Sequence, residues 1–467
     1  MKIRSRAVCQ SCRKRKYGCD GKRPACTQCL KAKITCPGYE DFTFVLPDSS
    51  NSRIVLSNAS PNHSLSQTAL MLQPGSSTKS LMLNFSTFWW STDEDVVALV
   101  NEYFTPDQGD FWQDLCPDKS SSTTCSPWLE VLPLLLDRSR RTSRSAPLLS
   151  ESLRTLGYSI VCKGYKGSTR SQWDICRAQC YSKAAHFLNR ELTEGTGVCD
   201  ESAAAIMCLS MAELLIPTSN EGWIAHIRGI GRMTELCGPR SFTKPISQQL
   251  FMAFRPLIIV EACLSRQDTF LSSYEWQTIP FSLHEAPPLQ MLLSHGSVLP
   301  SILRKLQSLH LFSDEVKDSL AQNILADLLK TLQELDAWEH SMQSAVQGPL
   351  FWPRTACPAP QTVNDSLQLS LWFSSLPVAT SLSYLWAFRA VCFRQIGQLL
   401  SSDLVPASCR DTALACLNLP AIEDCQKKAL AFHSMICQSI PFFMQDEMKF
   451  YGVSSVTLPL MLTQTVL

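Results

Sequence analysis

The stretch Cys9–Cys36 reads CQSCRKRKYGCDGKRPACTQCLKAKITC, and it decides the fold of the N-terminal part of the chain. It contains two halves with the same spacing, C-x2-C-x6-C, and the gap between the halves is again six residues. Thiolates are strong, soft zinc ligands, and both cysteines of a C-x2-C pair can bind one tetrahedral ion. The spacing therefore predicts a metal site whose candidate ligands are Cys9, Cys12, Cys19, Cys26, Cys29 and Cys36.

The number of cysteines indicates how many ions the site holds. One tetrahedral zinc ion uses four cysteines and leaves two over, whereas two separate ions need eight ligand positions and find only six residues. Two zinc ions that share two bridging thiolates satisfy the count. The sequence thus favours a cluster of two zinc ions.

Disulfide bonds and a zinc site that does not bind DNA are the alternative interpretations. Disulfides are typical of secreted proteins, and the N-terminal residues MKIRSR are not followed by the apolar stretch of a secretory signal. A thiolate cluster that stores zinc, or a zinc module that binds only protein, stays open as an alternative.

The charge of the chain is distributed very unevenly. Residues 1–36 contain eleven Lys and Arg residues against one acid, Asp20, which gives a side-chain charge of +10. Because the whole chain sums to +1, the remaining residues carry −9. Clustered Lys and Arg neutralise phosphates and supply most non-specific affinity for DNA. The N-terminal segment therefore has the electrostatics of a nucleic-acid-binding module.

The segment Cys9–Tyr39 resembles the fungal binuclear zinc cluster family of DNA-binding transcription factors. The likeness includes the basic run after Cys12, the KRPAC sequence that ends at Cys26, and the CPGY sequence that begins at Cys36. In that family each half folds as a short helix followed by an extended strand, and the unit has almost no hydrophobic core. Metal binding then supplies the folding energy, on the order of 10–16 kcal/mol for a structural zinc.

The resemblance also implies a role for each cysteine. Cys9 and Cys26, the first cysteine of each half, would bridge the two zinc ions. One zinc would be completed by Cys12 and Cys19, and the other by Cys29 and Cys36.

Four basic residues follow the first C-x2-C pair on the expected short helix: Arg13, Lys14, Arg15 and Lys16. A helix of this size fits the major groove, where Arg or Lys can contact guanine O6 and N7. The resemblance implies that Arg15 and Lys16 read a CGG triplet, while Arg13 and Lys14 contact phosphates. The alternative is that all four contact only phosphate. Gly18 departs from the family, which usually has a basic residue before the third cysteine.

Three domains are expected: the zinc cluster (9–36), a linker (37–86) and a large body (87–467). The linker is rich in Ser, Asn and Pro, and no sustained heptad repeat follows the cluster, so a possible homodimer would have to form through the body. Apolar residues in the body recur at helical spacing, and no convincing strand pattern is present. The fold class is therefore a small metal-stabilised cluster followed by a large, mostly α-helical domain.

Three helices in the body have clear sequence patterns. Thr92 is placed to cap a helix with an acidic first turn, 93–95, and Ser313 is placed to begin another. The apolar face of the first is expected at Val96, Leu99, Val100 and Tyr103, and that of the Ser313 helix at Val316, Leu320, Ile324, Leu328, Leu335 and Trp338. A third face is expected at Trp173, Cys176, Cys180, Ala184, Phe187 and Leu188.

Some features of the body invite a functional interpretation. Cys176 and Cys180 could bind a metal with His186, although their spacing on an apolar face favours buried hydrophobes. We expect His226 to be a packed, hydrogen-bonded core residue rather than a ligand. A basic loop is predicted at 138–144, either as solvated surface or as an aid to nuclear import.

The segment Leu369–Phe388 has no charged residue and is long enough to span a bilayer. Six Ser and Thr residues dilute it and Pro377 interrupts it, so we expect a buried helix pair around Pro377 and no membrane association. The common phosphate-loop, dinucleotide, hydrolase and zinc-protease motifs are absent from the sequence, and we expect no enzyme activity.

The body resembles the helical regulatory region of many fungal transcription factors at Phe88–Trp90, Phe111–Trp112 and 221–240. The resemblance implies a nuclear transcription factor that binds double-stranded DNA and acts with the transcription machinery or coregulators. It would regulate a metabolic or secondary-metabolite gene cluster. The alternative is a zinc-cluster interaction protein or corepressor that binds protein rather than DNA.

Overall fold

The computed structural model describes most of the chain from Thr92 onward and a few residues near the N-terminus. The described residues are 11, 15, 27–32, 34, 92–106, 127–142, 146–164, 170–194, 199–219, 222–346, 348–355 and 369–464. They fall into two units, one within Met1–Ser60 and the other within Pro61–Leu467. The expected linker (37–86) and the segments Phe88–Trp90 and Phe111–Trp112 lie outside the described residues.

Secondary structure in the described part of the chain is almost entirely α-helical, as the apolar periodicity predicted. Helix α1 (Thr27–Lys31) lies in the N-terminal unit. The body contains α2 (Asp93–Phe104), α3 (Pro127–Thr142), α4 (Ala146–Gly164), α5 (Arg170–Glu194), α6 (Asp200–Leu215), α7 (Gly222–Cys237), α8 (Pro245–Ser265), α9 (Tyr274–Thr278), α10 (Pro288–Gly296), α11 (Leu299–Ser308), α12 (Asp314–Ala345), α13 (Leu376–Leu400), α14 (Ala407–Cys416), α15 (Glu423–Phe443) and α16 (Lys449–Gln464). Two short strands, β1 (Phe351–Thr355) and β2 (Leu369–Phe373), lie between α12 and α13.

Helix α2 begins with a complete capping box. The Thr92 hydroxyl accepts a hydrogen bond from the Asp95 backbone N–H at 3.3 Å, and the Asp95 carboxylate accepts one from the Thr92 N–H at 3.1 Å. This exchange satisfies two backbone donors that the first turn of a helix leaves unpaired. The predicted face is confirmed at Val96 and Val100, which are fully buried.

The first part of the body is a group of helices around α4. Helix α4 packs against α5 and α6, and α2 packs across it. The predicted face of α5 is confirmed, with Cys180, Ala184 and Leu188 buried. Helices α6, α7 and α8 then continue the same core.

The prediction of a basic loop at 138–144 is wrong for the described arginines, which lie on the last turns of α3. Arg138 donates hydrogen bonds to Asp200 at 2.9 Å and to Glu201 at 2.5 Å, and Arg140 pairs with Glu94. These arginines tie α3 to α6 and α2, because acidic residues from both neighbouring helices lie opposite the arginines. Arg144 lies outside the described residues.

Helix α13 is the central helix of the second part of the body and packs against α12, α15 and α16. It is the one described helix long and apolar enough to cross a membrane, with a mean hydropathy of 1.3 in its most apolar window, and 94% of that window is buried within the body. Two of its buried serines have hydroxyls that donate to backbone carbonyls one turn earlier, Ser381 to Pro377 at 2.8 Å and Ser383 to Ala379 at 2.9 Å.

The prediction of a helix pair around Pro377 is wrong. Residues Leu369–Phe373 form strand β2, which pairs antiparallel with β1 so that Phe373 lies opposite Phe351. Ser375 then caps α13 through a 3.4 Å bond from the Val378 N–H, and Pro377 lies in the first turn. Proline is tolerated there because the first turn of a helix has no acceptor for its N–H, so it marks a beginning and not an interruption.

Helix α12 confirms the predicted apolar face over most of its length. Ile324, Leu328 and Leu335 are fully buried, whereas Val316 is 48% exposed. The prediction is therefore wrong at Val316, in the first turn of α12.

Candidate zinc cluster and nucleic-acid interface

Helix α1 positions one of the six cysteines in the interior of the N-terminal unit. Cys29 lies in the middle of this five-residue helix and is only 1% exposed, whereas its neighbour Leu30 is 64% exposed. The helix ends with a bond from the Ile34 N–H to the Cys29 carbonyl at 3.1 Å. Helix α1 therefore places its thiol, and not its leucine, in the interior of the unit, as a cysteine that binds a structural metal requires.

The repeat in the sequence has a counterpart in backbone hydrogen bonding. Each cysteine of the first half lies seventeen residues before its equivalent in the second half. The Arg15 N–H donates to the Ser11 carbonyl at 3.1 Å, and the Ala32 N–H donates to the Gln28 carbonyl at 3.0 Å. Ser11 corresponds to Gln28 and Arg15 corresponds to Ala32, because the members of each pair are seventeen residues apart. The described residues of the two halves therefore share an i to i+4 backbone hydrogen bond at equivalent positions.

A hollow of about 220 Å³ separates the two turns. Ser11 and Arg15 lie on one side, and Gln28, Cys29, Lys31, Ala32 and Ile34 lie on the other. Cys29, the one described cysteine of the six, is in the wall of the hollow, and thiolates are the donors that structural zinc prefers. Cys29 is thus the one candidate zinc ligand among the described residues that line this hollow.

Arg15 is exposed and lies at the end of the first helical turn. The other candidate site residues lie outside the described part of the chain: Cys9, Cys12, Arg13, Lys14, Lys16, Cys19, Cys26 and Cys36, together with Gly18.

The second possible metal site, in α5, is not formed. Cys180 is buried and its pKa is raised to about 12 by burial, while His186 is exposed. No group of three His, Cys, Asp or Glu residues in the described part of the chain is arranged to hold a metal ion. The expectation that Cys176 and Cys180 are small hydrophobes of the helix face agrees with this packing.

His226 is a core residue, as its position in an apolar helix predicted. It is 3% exposed, its Nε2 lies 2.9 Å from the Tyr181 hydroxyl, and burial lowers its pKa to about 4. Sequence reasoning missed Glu213, which is 1% exposed beside this pair and accepts bonds from the Thr218 N–H at 2.9 Å and hydroxyl at 2.6 Å. Its only sequence signal was an acid on an otherwise apolar helix.

Comparison with known proteins identifies the N-terminal unit. Residues 7–43 match the family model of the fungal Zn(2)-Cys(6) binuclear cluster domain. The chain therefore has this domain at its N-terminus, followed by the helical body, and the domain binds two zinc ions. Domains of this family bind DNA. The match confirms the binuclear zinc cluster domain and the two zinc ions that the cysteine spacing indicated.

Two relatives are similar to parts of the chain. White-opaque regulator 2 of Candida albicans is 39% identical over 51 residues, which are 11% of this chain and 11% of the relative. An uncharacterized protein of Emericella nidulans is 27% identical over 106 residues, which are 22% of this chain and 23% of the relative. The chain thus matches less than a quarter of the length of either relative. No solved structure matches it.

Proposed function

We propose that the protein is a fungal DNA-binding transcription factor that acts in the nucleus. The observation that supports this most directly is the match of residues 7–43 to a DNA-binding zinc cluster domain. The charge of +10 in residues 1–36 supports it independently, because it suits a phosphate backbone. Similarity to a protein named as a regulator is consistent with the same role.

In this proposal all six cysteines bind the metal. Cys9 and Cys26 bridge the two ions, Cys12 and Cys19 complete one site, and Cys29 and Cys36 complete the other. The zinc ions supply the cross-links that a segment without a hydrophobic core needs for folding. The burial of Cys29 supports its role as a ligand, because it keeps the sulfur away from competing solvent.

The basic residues that follow Cys12 make two kinds of contact with DNA in this proposal. Arg13 and Lys14 contact phosphates and hold the turn in the major groove, while Arg15 and Lys16 contact guanines of a CGG triplet. The exposure of Arg15 supports this assignment. Gly18 removes one basic contact that relatives usually make, so we expect a weaker phosphate anchor on that side.

The helical body is the regulatory part of the molecule in this proposal. The residues after Cys36, 37–467, carry a net charge of −9, most of it in the helical body, so the body does not favour DNA by itself. We propose that it modulates transcription through coregulators or the transcription machinery, and that the regulated genes form a metabolic or secondary-metabolite cluster. A homodimer would form through the body, since no heptad repeat follows the zinc domain.

Two matched variants test base readout. Lys16→Ala and Lys33→Ala each remove one positive charge from equivalent positions of the two halves, seventeen residues apart. We expect Lys16→Ala to lower affinity for a CGG-containing duplex roughly tenfold or more, a loss of about 1–3 kcal/mol, and to affect a scrambled duplex much less. Lys33→Ala should weaken both duplexes by similar factors.

The measurement is fluorescence anisotropy with both duplexes over a series of salt concentrations, using the full chain. Each phosphate contact steepens the fall of log K with log salt concentration by about 0.9. A variant that loses a phosphate contact should therefore show a shallower salt dependence, whereas loss of a base contact should change the preference between the duplexes. Equal losses on both duplexes for Lys16→Ala would refute base readout. If the wild-type protein shows no preference for any duplex at moderate salt, the proposal fails in favour of a zinc-cluster corepressor that binds protein.

A further inference from the structure

Arg255, on α8, is a positive charge buried among apolar side chains of the body. It is 0% exposed, and its guanidinium lies over the rings of Phe251 and Phe281, 5.6 and 5.3 Å from their centroids. Burial lowers its pKa to about 10, so the guanidinium stays charged at neutral pH. No acidic side chain in the described part of the chain pairs with it, so only neutral groups offset the cost of burying the charge.

Neutral acceptors on α10 occupy two of the three edges of this guanidinium. Nη1 donates to the Gln290 carbonyl at 2.9 Å and to Gln290 Oε1 at 3.1 Å, and Nη2 donates to the Ser294 hydroxyl at 2.9 Å. The Ser294 hydroxyl also lies 3.2 Å from the Gln290 carbonyl. Both therefore face the end of the guanidinium, where one N–H of Nη1 is parallel to one N–H of Nη2. Nη1 has then used both of its hydrogens.

The third edge of the guanidinium has two parallel donors and no acceptor among the described residues. Nε of Arg255 has no hydrogen-bond partner there, and the second hydrogen of Nη2 points in the same direction as the Nε hydrogen. Two parallel N–H bonds match the two oxygens of a carboxylate, which a guanidinium binds in a bidentate manner. The uncompensated charge and this edge therefore indicate the same type of ligand.

We propose that Arg255 is a binding site for the carboxylate group of a small organic anion, and that binding stabilises the folded body. One carboxylate oxygen accepts a hydrogen bond from Nε and the other accepts one from Nη2. The negative charge of the ligand neutralises the buried guanidinium, and the phenyl rings on its faces exclude water from the ion pair. The proposal concerns the body alone and does not depend on DNA binding.

Phe281 is the part of the cover over Arg255 that lies nearest to solvent. It ends a three-residue 3-10 helix, Ile279–Phe281, and its side chain is half-buried, whereas the four residues that follow it are exposed. This short helix is held to α8 by a hydrogen bond from Gln248 Nε2 to the Pro280 carbonyl at 2.6 Å. Rotation of one phenyl ring therefore gives a small ligand access to the guanidinium without separating the long helices.

Urea unfolding of the full chain with its zinc ions, followed by tryptophan fluorescence, tests the proposal with acetate as the probe. Acetate replaces chloride at constant ionic strength. A ligand that binds only the folded state stabilises it by mass action. Above the Kd for acetate, we therefore expect each tenfold increase in acetate to raise the folded-to-unfolded ratio at a fixed urea concentration about tenfold.

Three variants separate this site from general effects of acetate on stability. Arg255→Met lacks the charge and both donors and should lose the response. Arg255→Lys keeps the charge without the parallel N–H pair, and should need roughly tenfold more acetate for the same effect. Arg240→Met removes one exposed charge from the same body and should respond like the wild-type protein. If Arg255→Met fails to fold, Arg255→Lys and Arg240→Met decide.

Two results would overturn the proposal. One is a wild-type protein that unfolds at the same urea concentration in acetate and in chloride, which would assign the Nε donor of Arg255 to an ordered water molecule. The other is an acetate response that Arg255→Met and Arg255→Lys both retain in full, which would assign the anion to another site in the chain.

Discussion

The same substitution at two helical glycines should change stability in opposite directions. Gly296 ends α10, and a Cβ atom built on it lies 2.4 Å from Cε2 and Cζ of Phe388. Phe388 is on α13 and is completely buried. Carbon atoms in contact prefer separations of about 3.5–4.0 Å, so Gly296→Ala must displace the ring or the helix by roughly 1 Å. Overpacking of this kind costs about 1–3 kcal/mol.

Gly229 on α7 is the matched control, because a Cβ atom there meets nothing within 4 Å. Alanine in a helix interior is favoured over glycine by about 0.5–1 kcal/mol, and no contact opposes this gain. We therefore expect Gly229→Ala to stabilise the body and Gly296→Ala to destabilise it, with a difference between the two variants of about 1.5–4 kcal/mol.

Urea unfolding followed by circular dichroism measures both variants. The Phe388→Leu background adds a test of mechanism, since a smaller side chain should make Gly296→Ala less harmful by about 1 kcal/mol or more. If Gly296→Ala is as stable as the wild-type protein, the close packing of α10 on α13 is not as described. An unchanged penalty in the Phe388→Leu background would show that the clash is not with this ring.

Three further outcomes follow from features of the body and the zinc domain. Thr92→Ala removes the side-chain half of the α2 capping box and should lower the free energy of unfolding by about 1 kcal/mol, and unchanged urea unfolding would contradict the cap. The pKa of His226 is about 4 in the folded body, below its ordinary value of 6.5, so the unfolded chain binds more protons between these pH values. The free energy of unfolding should therefore reach its full value above pH 6.5 and be lower by about 2 kcal/mol at pH 5. His226→Gln should remove most of this decrease, and an equally steep pH profile in the variant would contradict the role of His226. Zinc chelation should abolish DNA binding and make residues 7–43 sensitive to proteases. The helical circular dichroism of the body should persist, and loss of that signal would show that the body also needs the metal.

Local chemistry explains which features the sequence predicted well. The cysteine spacing indicated a two-zinc domain because metal geometry restricts the spacing of ligands almost without reference to the rest of the chain. The Thr92 cap was predictable for the same reason, since donor and acceptor are three residues apart. The burial of His226 followed from an apolar helix face.

Features that depend on distant residues were not predictable in this way. Arg138 looked like part of a solvated loop because its partners, Asp200 and Glu201, lie more than sixty residues away. Strand β2 was hidden because it is only five residues long, which is too short for an alternation that distinguishes a strand from part of a buried helix. Pro377 then looked like an interruption of a longer helix, whereas it lies in the first turn of α13.

The burial of α13 has a consequence for how the protein is made. This helix is covered by α15 and α16, whose residues, 423–464, leave the ribosome only after α13 is complete. During that interval a twenty-five-residue apolar helix with the composition of a membrane span lacks the cover of α15 and α16 and contacts only elements made before it, such as α12. A nascent chain interrupted in this region would present a surface that chaperones, quality-control proteases or lipid bilayers recognise. Premature stop codons before residue 423 should therefore lead to degradation of the whole polypeptide and not to a shortened but functional product.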